Sequence, residues 1–271
     1  MQPMKAAVVQ LSSQSDVTEN LSRVRALVGA AAGEGAALIV LPENFAFIGE
    51  TEEDKQRVAE TLDGRGPITK TLVDLAQAHR IHLIGGGMPE KSDDPKRPFN
   101  TSVLVDPGGA ISATYRKIHL FDVDLPDGTM LKESNGSSAG NAPVVSAVGD
   151  VRVGMTVCYD LRFPELFRKL VDAGARIATV PAAFTLTTGK DHWHVLLRAR
   201  AIEDQLFVLA AAQHGKHPRG RSTYGKSVIV DPWGDVLAQV GEGEGYAVAR
   251  LDFDYQDRVR ASLPCLAHRR L

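Results

Sequence analysis

Residues 102–109 read SVLVDPGG, and residues 227–234, 125 positions later, read SVIVDPWG. Each segment is a run of apolar, mostly β-branched residues followed by Asp-Pro and a glycine, which is typical of a strand that ends in a tight turn. Two such segments indicate an internal repeat, in which the chain carries two copies of one structural unit. Hairpins of this kind can also be alike by chance, but the elements that precede each of them favour the repeat.

Those preceding elements occur in the same order in both halves of the chain. Short apolar runs alternate with amphipathic stretches of helical period, the pattern of βαβ units. In the first half we predict strands at residues 6–11, 37–41 and 82–84, helices at 17–32 and 69–78, and a hairpin at 101–115. In the second half we predict strands at 151–157, 176–180 and 206–212, helices at 164–173 and 193–204, and a closing hairpin.

Each half is expected to form a mixed sheet that its helices cover on one face, so the other face needs an apolar partner. The other half is the obvious partner, because no Pro-, Gly- or Ser-rich linker separates the two. We therefore predict an α/β fold, a four-layer α-β-β-α sandwich of two related half-domains, which forms a single domain over residues 1–271. Residues 127–142, rich in Gly, Ser and Asn, are expected to be an active-site loop.

The composition excludes several classes of partner. The 271 residues are 44% hydrophobic and 24% charged, with a formal net charge of -2, so no net field favours nucleic acid or an anionic membrane surface. Two cysteines are too few for a disulfide framework, and the N-terminal residues lack the basic and apolar segments of a signal peptide. We expect a cytoplasmic protein that acts on a small molecule, with no nucleic-acid and no membrane partner.

Cys158 is the first candidate for chemistry. It follows the strand predicted at residues 151–157 and precedes a helix that Pro164 opens. Ligands of open α/β sheets bind at the carboxyl ends of strands, so Cys158 is a candidate nucleophile with backbone N–H groups nearby for an oxyanion. The ordinary alternative is a small buried core cysteine.

Glu43 and Lys117 occupy similar positions, since each follows a predicted strand. A carboxylate at such an edge suits a general base, and the ammonium of Lys117 suits the stabilisation of a thiolate and an oxyanion. This arrangement predicts a lowered pKa and fast alkylation for the Cys158 thiol. The alternatives are a solvated loop glutamate and a lysine whose tail reaches water.

The segments that carry these three residues resemble the nitrilase, or carbon-nitrogen hydrolase, superfamily over nearly the whole chain. The matching segments are LPEN at 41–44, RKIHLF at 116–121, CYDLRFPEL at 158–166 and RARAIE at 198–203. The resemblance implies a Glu-Lys-Cys triad of Glu43, Lys117 and Cys158, the same α-β-β-α sandwich, no cofactor, and at least a homodimer. It also implies that Glu133 helps to position the lysine and the attacking water. A solvated loop glutamate is the alternative for Glu133.

Within that superfamily the chain resembles the Nit branch, which includes omega-amidases and deaminated glutathione amidases. It is more similar to the second group, through FTLTTG at 184–189, HW at 192–193 and YGKS at 224–227. Lys226 departs from this pattern, because the group usually has histidine there. The resemblance implies hydrolysis of a linear carboxamide, with deaminated glutathione as the first candidate substrate and α-ketoglutaramate as the alternative.

The acyl part of the substrate is expected to carry a carboxylate. Arg162 follows the nucleophile by four residues, and its guanidinium can bind a carboxylate through two parallel hydrogen bonds. A surface ion pair with Glu165 or Asp160 is equally compatible with the sequence. The other residues expected to contact substrate, rather than only to cap a helix, are Tyr159, Phe184, Thr185 and Thr188.

Other sites and functions find less support in the sequence. His192 and His194 are two apart on a predicted helix and point to different faces, so we expect no metal site. The glycines at 85–87 lack the spacing of a dinucleotide-binding loop. Two alternatives to the amidase are a papain-like enzyme that pairs Cys158 with His192 or His214, whose local motif is absent, and a non-catalytic scaffold of the same fold.

Overall fold

A computed structural model describes residues 1–51, 53–124 and 130–270 of the chain. The strands, in chain order, are β1 (Met4–Gln10), β2 (Leu38–Val40), β3 (His82–Glu90), β4 (Phe99–Val105), β5 (Ile111–Arg116), β6 (Asp122–Asp124), β7 (Met130–Lys132), β8 (Val144–Val148), β9 (Val151–Met155), β10 (Ile177–Thr179), β11 (Phe207–Ala210), β12 (His214–Lys216), β13 (Ser222–Tyr224), β14 (Val228–Val230), β15 (Val236–Gln239) and β16 (Gly245–Leu251). The helices are α1 (Val17–Gly33), α2 (Lys55–Val58), α3 (Pro67–His79), α4 (Pro164–Asp172), α5 (Leu186–Asp204) and α6 (Phe253–Ser262).

Two six-stranded sheets form the centre of the fold, and they have the same topology. The first has the order β16-β1-β2-β3-β4-β5 and the second the order β15-β14-β11-β10-β9-β8. In each sheet three consecutive strands are parallel, β1-β2-β3 in one and β9-β10-β11 in the other, and antiparallel strands flank them. The order of strands in the two halves therefore agrees with the predicted internal repeat, except that β16, from the end of the chain, completes the first sheet.

The two repeated hairpins turn in the same way. Asp106 accepts hydrogen bonds from the N–H groups of Gly108 (2.8 Å) and Ala110 (3.0 Å). Asp231, at the equivalent position, accepts from the N–H groups of Trp233 and Asp235, both at 2.9 Å. An aspartate that satisfies two backbone donors explains why the Asp-Pro sequence occurs in both turns.

Alternate residues of the central strands pack into two separate apolar layers. On β1, Ala6 and Val8 belong to the cluster between the two sheets, whereas Ala7 and Val9 pack against α1 and α3. The second sheet packs against α4 and α5 on its outer face. The result is the predicted α-β-β-α sandwich, because a strand buried on both faces is apolar at every position. No helix among the described residues is both long and apolar enough to cross a lipid bilayer.

Two elements differ from the predicted bounds in ways that affect the site. β3 continues through the glycines at 85–87 to Glu90, although the sequence predicts that it ends at residue 84. α5 begins at Leu186 rather than at residue 193, so Thr188 lies in its first turn. Glycine and threonine have low intrinsic preference for these elements, and the packing around them overrides that preference.

Candidate active site

Glu43, Lys117 and Cys158 meet at one edge of the sandwich, because each lies just beyond the carboxyl end of a strand in the two facing sheets. Glu43 follows β2, Lys117 follows β5 and Cys158 follows β9. The three residues are 3%, 1% and 8% exposed, so the cluster is removed from bulk water. Lys117 Nζ lies 2.9 Å from Glu43 Oε1 across 74 residues of sequence.

Glu133 completes this cluster. Its Oε2 accepts hydrogen bonds from Lys117 Nζ at 2.8 Å and from the Phe121 N–H at 2.8 Å. Asn100, on β4, donates from Nδ2 to Glu133 Oε1 (3.0 Å) and to Glu43 Oε1 (2.8 Å). One amide nitrogen and one ammonium thus hold the two buried carboxylates together, and Asn100 is a site residue that the sequence analysis did not identify.

The second oxygen of Glu43 faces the second half of the molecule. Glu43 Oε2 accepts a hydrogen bond from the Ala183 N–H at 2.9 Å, just beyond β10, and Gln213 Nε2 donates to the Glu43 carbonyl at 3.0 Å. The Cys158 thiol lies close enough to the Glu43 carboxylate and the Ala183 N–H for both to affect its pKa, in opposite directions. Residues of both half-domains therefore fix the orientation of Glu43 toward the thiol.

The charges of this cluster follow from its geometry. Burial by itself disfavours each ion, but Glu133 and Glu43 hold the pKa of Lys117 well above its usual value. Burial would likewise raise the pKa of Glu133, and Lys117, Lys55 and Asn100 instead lower it to about 2. Lys117 is thus an ammonium and Glu133 a carboxylate throughout the physiological range.

The predicted lowering of the thiol pKa is wrong. Burial raises the pKa of Cys158 well above its usual value, and the nearby Glu43 carboxylate adds to this effect, whereas Lys117 opposes it. Desolvation and the negative charge of Glu43 together outweigh the ammonium, which already binds two carboxylates. Cys158 is therefore a protonated thiol next to the Glu43 carboxylate, and fast alkylation of Cys158 is not expected.

The backbone at Cys158 is strained, and hydrogen bonds to the nearby Asp160 stabilise it. Cys158 has a φ of 50°, in the left-handed region that costs a residue with a side chain about 1–3 kcal/mol. The buried Asp160 accepts hydrogen bonds from the Val157 N–H (2.8 Å), the Tyr115 hydroxyl (2.7 Å) and the His119 N–H (3.2 Å). Asp160 therefore holds the turn that aims the thiol. The Cys158 N–H itself donates to the Pro181 carbonyl at 2.7 Å, so it does not contribute to an oxyanion site.

The glycines at 85–87 allow the strands around the site to approach closely. A Cβ at Gly87, which has a φ of 64°, would lie 2.7 Å from Asn100 Oδ1 and 2.8 Å from Glu43 Cγ. A Cβ at Gly86 would lie 2.1 Å from Pro181 Cβ. The absence of side chains here is needed to bring Glu43 and Asn100 together, a role unrelated to nucleotide binding.

The three candidate catalytic residues open onto a cavity of about 540 Å³, the size of a small-molecule binding site. Glu43, Lys117, Glu133 and Cys158 lie among its lining residues. The remaining lining residues are Asn44, Ile48, Lys55, Phe121, Met130, Leu131, Ala183, Thr185, Leu186, Thr187, His217, Arg219, Gly220, Arg221, Ser222 and Thr223. Residues 130–142 of the predicted active-site loop include Met130, Leu131 and Glu133, and residues 127–129 lie outside the described part of the chain.

The residues predicted to contact substrate line a second and much smaller space. This recess of about 10 Å³, room for about one water molecule, is lined by Phe121, Cys158, Tyr159, Arg162, Ala183, Phe184, Thr185 and Thr188. Arg162 Nη1 lies 3.2 Å from His192 Nδ1, and its guanidinium lies over the Phe184 ring. The structure thus brings all five predicted residues to the thiol, with Arg162 against His192 rather than in an ion pair with Glu165 or Asp160.

Several further residues singled out in the sequence lie elsewhere. His194 hydrogen-bonds with Gln239 (2.7 Å), Lys226 forms an ion pair with Glu242 (2.5 Å), and Cys265 is partly buried near the end of the chain. Within the described residues, no group of three or more His, Cys, Asp or Glu side chains is arranged to hold a metal ion.

Comparison with known proteins finds a matching family and several similar proteins and structures. The carbon-nitrogen hydrolase family model matches residues 5–261. A Synechocystis protein named deaminated glutathione amidase is 43% identical over 273 residues, which cover 99% of this chain and 99% of that protein. The structure of the C. elegans NitFhit protein matches with a TM-score of 0.91 at 39% identity, covering 99% of this chain and 65% of that chain. Saccharomyces cerevisiae Nit3, described as a member of branch 10 of the nitrilase superfamily, matches with a TM-score of 0.87 at 31% identity, covering 97% of this chain and 95% of that chain.

The family match spans both halves of the sandwich and every segment from which the resemblance was drawn. The predicted family and fold class are thereby confirmed. The chain belongs to the carbon-nitrogen hydrolase family of the nitrilase superfamily, and it is a hydrolase that acts on carbon-nitrogen bonds other than peptide bonds.

Proposed function

We propose that the protein is a cysteine-dependent amidase that hydrolyses a carboxylate-bearing carboxamide, with deaminated glutathione as its substrate. The observation that carries this proposal is the buried cluster in which a thiol and an ammonium lie beside one carboxylate, that of Glu43, in the lining of a cavity of about 540 Å³. The similarity to proteins named deaminated glutathione amidase, at 42–43% identity, supports the choice of substrate.

In the first step, Glu43 takes the proton of the Cys158 thiol as sulfur attacks the amide carbonyl carbon. The raised pKa of the thiol makes this base necessary, because little thiolate exists before the substrate arrives. Lys117 stabilises the negative oxygen of the tetrahedral intermediate, and we assign the Tyr159 N–H, next to the nucleophile, as the second donor. Glu43 then gives its proton to the leaving nitrogen, the carbon-nitrogen bond breaks, and the acyl group remains on sulfur as a thioester.

In the second step, water attacks the thioester carbonyl while Glu43 accepts one of its protons. Collapse of this intermediate releases the carboxylic acid and returns the proton to sulfur, which restores the thiol. Glu133 acts by holding Lys117 in place, since it accepts from Nζ at 2.8 Å. Arg162 binds the acyl carboxylate, and Tyr159, Phe184, Thr185 and Thr188 form the surrounding wall.

The test is ammonia or amine release from deaminated glutathione, α-ketoglutaramate, propionamide and an aliphatic nitrile. We expect the highest kcat/KM for deaminated glutathione, and Arg162→Ala should remove most of the preference for carboxylate-bearing amides. Cys158→Ala should abolish turnover while the fold is kept, and mass spectrometry of quenched wild-type enzyme should find the acyl group on Cys158. Fastest turnover of α-ketoglutaramate would indicate an omega-amidase, and no turnover of any amide would indicate a scaffold.

The oligomeric state is part of the same proposal, and we infer at least a homodimer. Val195 and Ile202 on α5 are 66% and 46% exposed, and Trp233 and Val236 on the adjoining hairpin are 52% and 44% exposed. Arg198 Nε donates to the Gly234 carbonyl at 2.6 Å, so α5 adjoins this hairpin. A patch of this kind favours a subunit contact. Light scattering at micromolar concentration should give a mass of at least two chains, and a monomer would contradict the inference.

We further propose that the two halves act as one domain in a reducing, cytoplasmic environment. Glu43, Lys117 and Glu133 come from the first half and Cys158 from the second, so neither half contains the site alone. Both cysteines are free thiols, as the chemistry requires of Cys158. Cell fractionation tests the location, and a single cooperative unfolding transition is expected for one domain.

A further inference from the structure

Asp160 lies where the two halves of the molecule meet behind the thiol. It is completely buried and belongs to the turn at Cys158–Arg162, which follows β9. Its Oδ2 accepts hydrogen bonds from both halves of the chain, from the Val157 N–H at 2.8 Å and from the Tyr115 hydroxyl of β5 at 2.7 Å. A buried carboxylate that lost such donors would remain unsatisfied, so these contacts restrict the geometry around it. Asp160 therefore joins the turn of the nucleophile to an edge strand of the first sheet.

His119 connects Asp160 to the segment that carries Lys117. The His119 N–H donates to Asp160 Oδ1 at 3.2 Å, and its Nδ1 lies 2.7 Å from the same oxygen. The imidazole is stacked on the Phe163 ring, with centroids 3.6 Å apart and an angle of 5° between the planes. Because Phe163 directly follows the turn at Cys158–Arg162, His119 contacts that turn through its backbone and through its ring.

Tyr115 makes the same connection from the other side of Lys117. Its hydroxyl donates to Asp160 Oδ2 and accepts from the Ile118 N–H at 3.4 Å. Burial and the negative charge of Asp160 raise the pKa of Tyr115, so the hydroxyl keeps its proton and remains a donor throughout the physiological range. Tyr115 and His119 thus bracket Lys117 in sequence, and both bind one carboxylate.

Lys117 and Cys158 are otherwise held by different partners. Lys117 Nζ is bound by the carboxylates of Glu43 and Glu133, which belong to the first half, whereas the Cys158 N–H donates to the Pro181 carbonyl in the second half. In the proposed reaction the sulfur and the ammonium act on the carbon and the oxygen of one carbonyl group, so their separation matters for the rate. A displacement of about 1 Å in such a group can lower the rate about a hundredfold.

We propose that Asp160, Tyr115 and His119 form a positioning group that fixes the turn of Cys158 relative to Lys117. The proposal rests on the proposed amidase function, because it concerns the same thiol and ammonium. Among the described residues that line the cavity of about 540 Å³ and the small recess, none belongs to this group. The three residues therefore act through Lys117 and Cys158 and not by contact with the substrate.

The kinetic test begins with Tyr115→Phe, which removes one hydroxyl and keeps the buried ring. For deaminated glutathione, kcat should fall about tenfold while KM stays within about threefold, because the substrate pocket is unchanged. Asp160→Asn replaces one acceptor oxygen by an NH₂ group and should lower kcat about a hundredfold or more. Tyr246→Phe is the matched control, since the Tyr246 hydroxyl donates to the Glu34 carboxylate at 2.6 Å at the surface, and this variant should keep the wild-type kcat.

Alkylation of Cys158 by iodoacetamide measures the same geometry without a substrate. The Lys117 ammonium lowers the pKa of the thiol, against the effects of burial and of Glu43. If Tyr115→Phe loosens the arrangement of Lys117 and Cys158, the alkylation profile of Cys158 should move to higher pH. In Lys117→Met, which lacks the ammonium, the added Tyr115→Phe substitution should move the profile no further. Cys265 is the internal reference in every variant.

The outcomes separate this inference from the proposed function. Wild-type kcat and a wild-type alkylation profile in Tyr115→Phe would overturn the positioning role, and so would a raised KM with unchanged kcat. A profile shift that persists in the Lys117→Met background would overturn the coupling to Lys117. If Asp160→Asn fails to fold, as judged by circular dichroism, Tyr115→Phe decides. If wild-type enzyme hydrolyses no amide, the amidase proposal fails, and the alkylation comparison still decides whether the group positions the two residues.

Discussion

Two buried carboxyl groups in this molecule have pKa values that are shifted in opposite directions. Glu133, in the candidate active site, has a pKa lowered to about 2. Asp204, at the end of α5, has a pKa raised to about 7, chiefly by burial. Both residues are largely shielded from water, at 8% and 0% exposure, so burial alone does not explain the difference.

The number and direction of the hydrogen-bond donors around each carboxylate explain why the two pKa values differ. Glu133 accepts hydrogen bonds from Lys117, Asn100 and the Phe121 N–H. Asp204 lies 2.9 Å from Arg168 Nη1, but within the described structure neither of its oxygens accepts a hydrogen bond, and Arg168 Nη1 donates to the Glu203 carbonyl instead. Asp204 is also the last residue of α5, where the partial negative charge of the helix end disfavours a carboxylate.

The two groups therefore affect stability in opposite pH ranges. Ionised Glu133 stabilises the fold above its unfolded pKa of 4.5, and this contribution is lost as the pH falls toward 2. Ionised Asp204 destabilises the fold, because its folded pKa exceeds its unfolded value of 3.8, and the cost grows as the pH rises toward 7. Of the two buried carboxylates, Glu133 in the candidate active site is therefore the one whose negative charge is better stabilised by its surroundings.

Replacing the cation beside Glu133 (Lys117) and the cation beside Asp204 (Arg168) should have the most unequal effects on catalysis. Lys117→Met leaves two buried carboxylates without their shared ammonium and removes the proposed oxyanion donor, so kcat/KM should fall by about three orders of magnitude or more. Lys117→Arg should be nearly as damaging, because a planar guanidinium does not replace a compact ammonium between two carboxylates. Arg168→Met is the matched control and should keep kcat within about twofold. An active Lys117→Arg enzyme would contradict the proposed geometry.

Removing the negative charge of Glu43 should separate base catalysis from thiol reactivity. Glu43→Gln should lower kcat by about two orders of magnitude or more with little change in substrate binding. Alkylation of Cys158 by iodoacetamide should become faster, because the Glu43 carboxylate contributes to the raised pKa of the thiol. Cys265 provides the internal reference, whose rate should not change. Slower alkylation together with lost turnover would instead indicate a disrupted site.

Removing a hydrogen-bond donor to Glu133 should raise the pKa of its carboxyl group, so that it resembles the poorly satisfied Asp204. Asn100→Leu removes hydrogen bonds to both carboxylates, each worth about 1.5–3 kcal/mol to a charged acceptor. The pKa of Glu133 should rise, so the acid limb of the kcat/KM profile should move to higher pH, with a loss of about tenfold at neutral pH. The exposed Asn141→Leu is the control. A uniform loss at all pH values would show that Asn100 acts only on packing.

Neutralising Asp204 should have the smallest effect, and it should be stabilising. Asp204→Asn removes a buried charge that its surroundings satisfy poorly, so the free energy of unfolding should increase by about 1–2 kcal/mol at pH 8. The gain should shrink as the pH falls through 7 and vanish near 4, where Asp204 is increasingly protonated in the folded state. Thermal unfolding across this range measures it, with the exposed Asp172→Asn as control. Destabilisation at pH 8 would show that the ion pair with Arg168 outweighs burial.

The sequence by itself determined the parts of this protein that depend on local pattern. The repeated SV-x-VDP segments predicted two equivalent halves, and strand ends followed by Glu43, Lys117 and Cys158 predicted which residues meet, because parallel strands bring their carboxyl ends to one edge. Family resemblance added Glu133 and the residues of the recess around Arg162. Each of these signals is contained within a few consecutive residues of the chain.

Only the tertiary structure decided the properties that depend on distance and burial. Asn100, which directly precedes the hairpin predicted at 101–115, was missed, since its two acceptors, Glu43 and Glu133, lie 57 and 33 residues away in sequence. The thiol pKa was predicted with the wrong sign, because the sequence shows that Lys117 is available but not that burial of the thiol and the nearby Glu43 carboxylate outweigh it. Arg219 and Arg221 likewise line the cavity only because the fold places the loop between β12 and β13 next to it, and no local sequence pattern indicates this proximity.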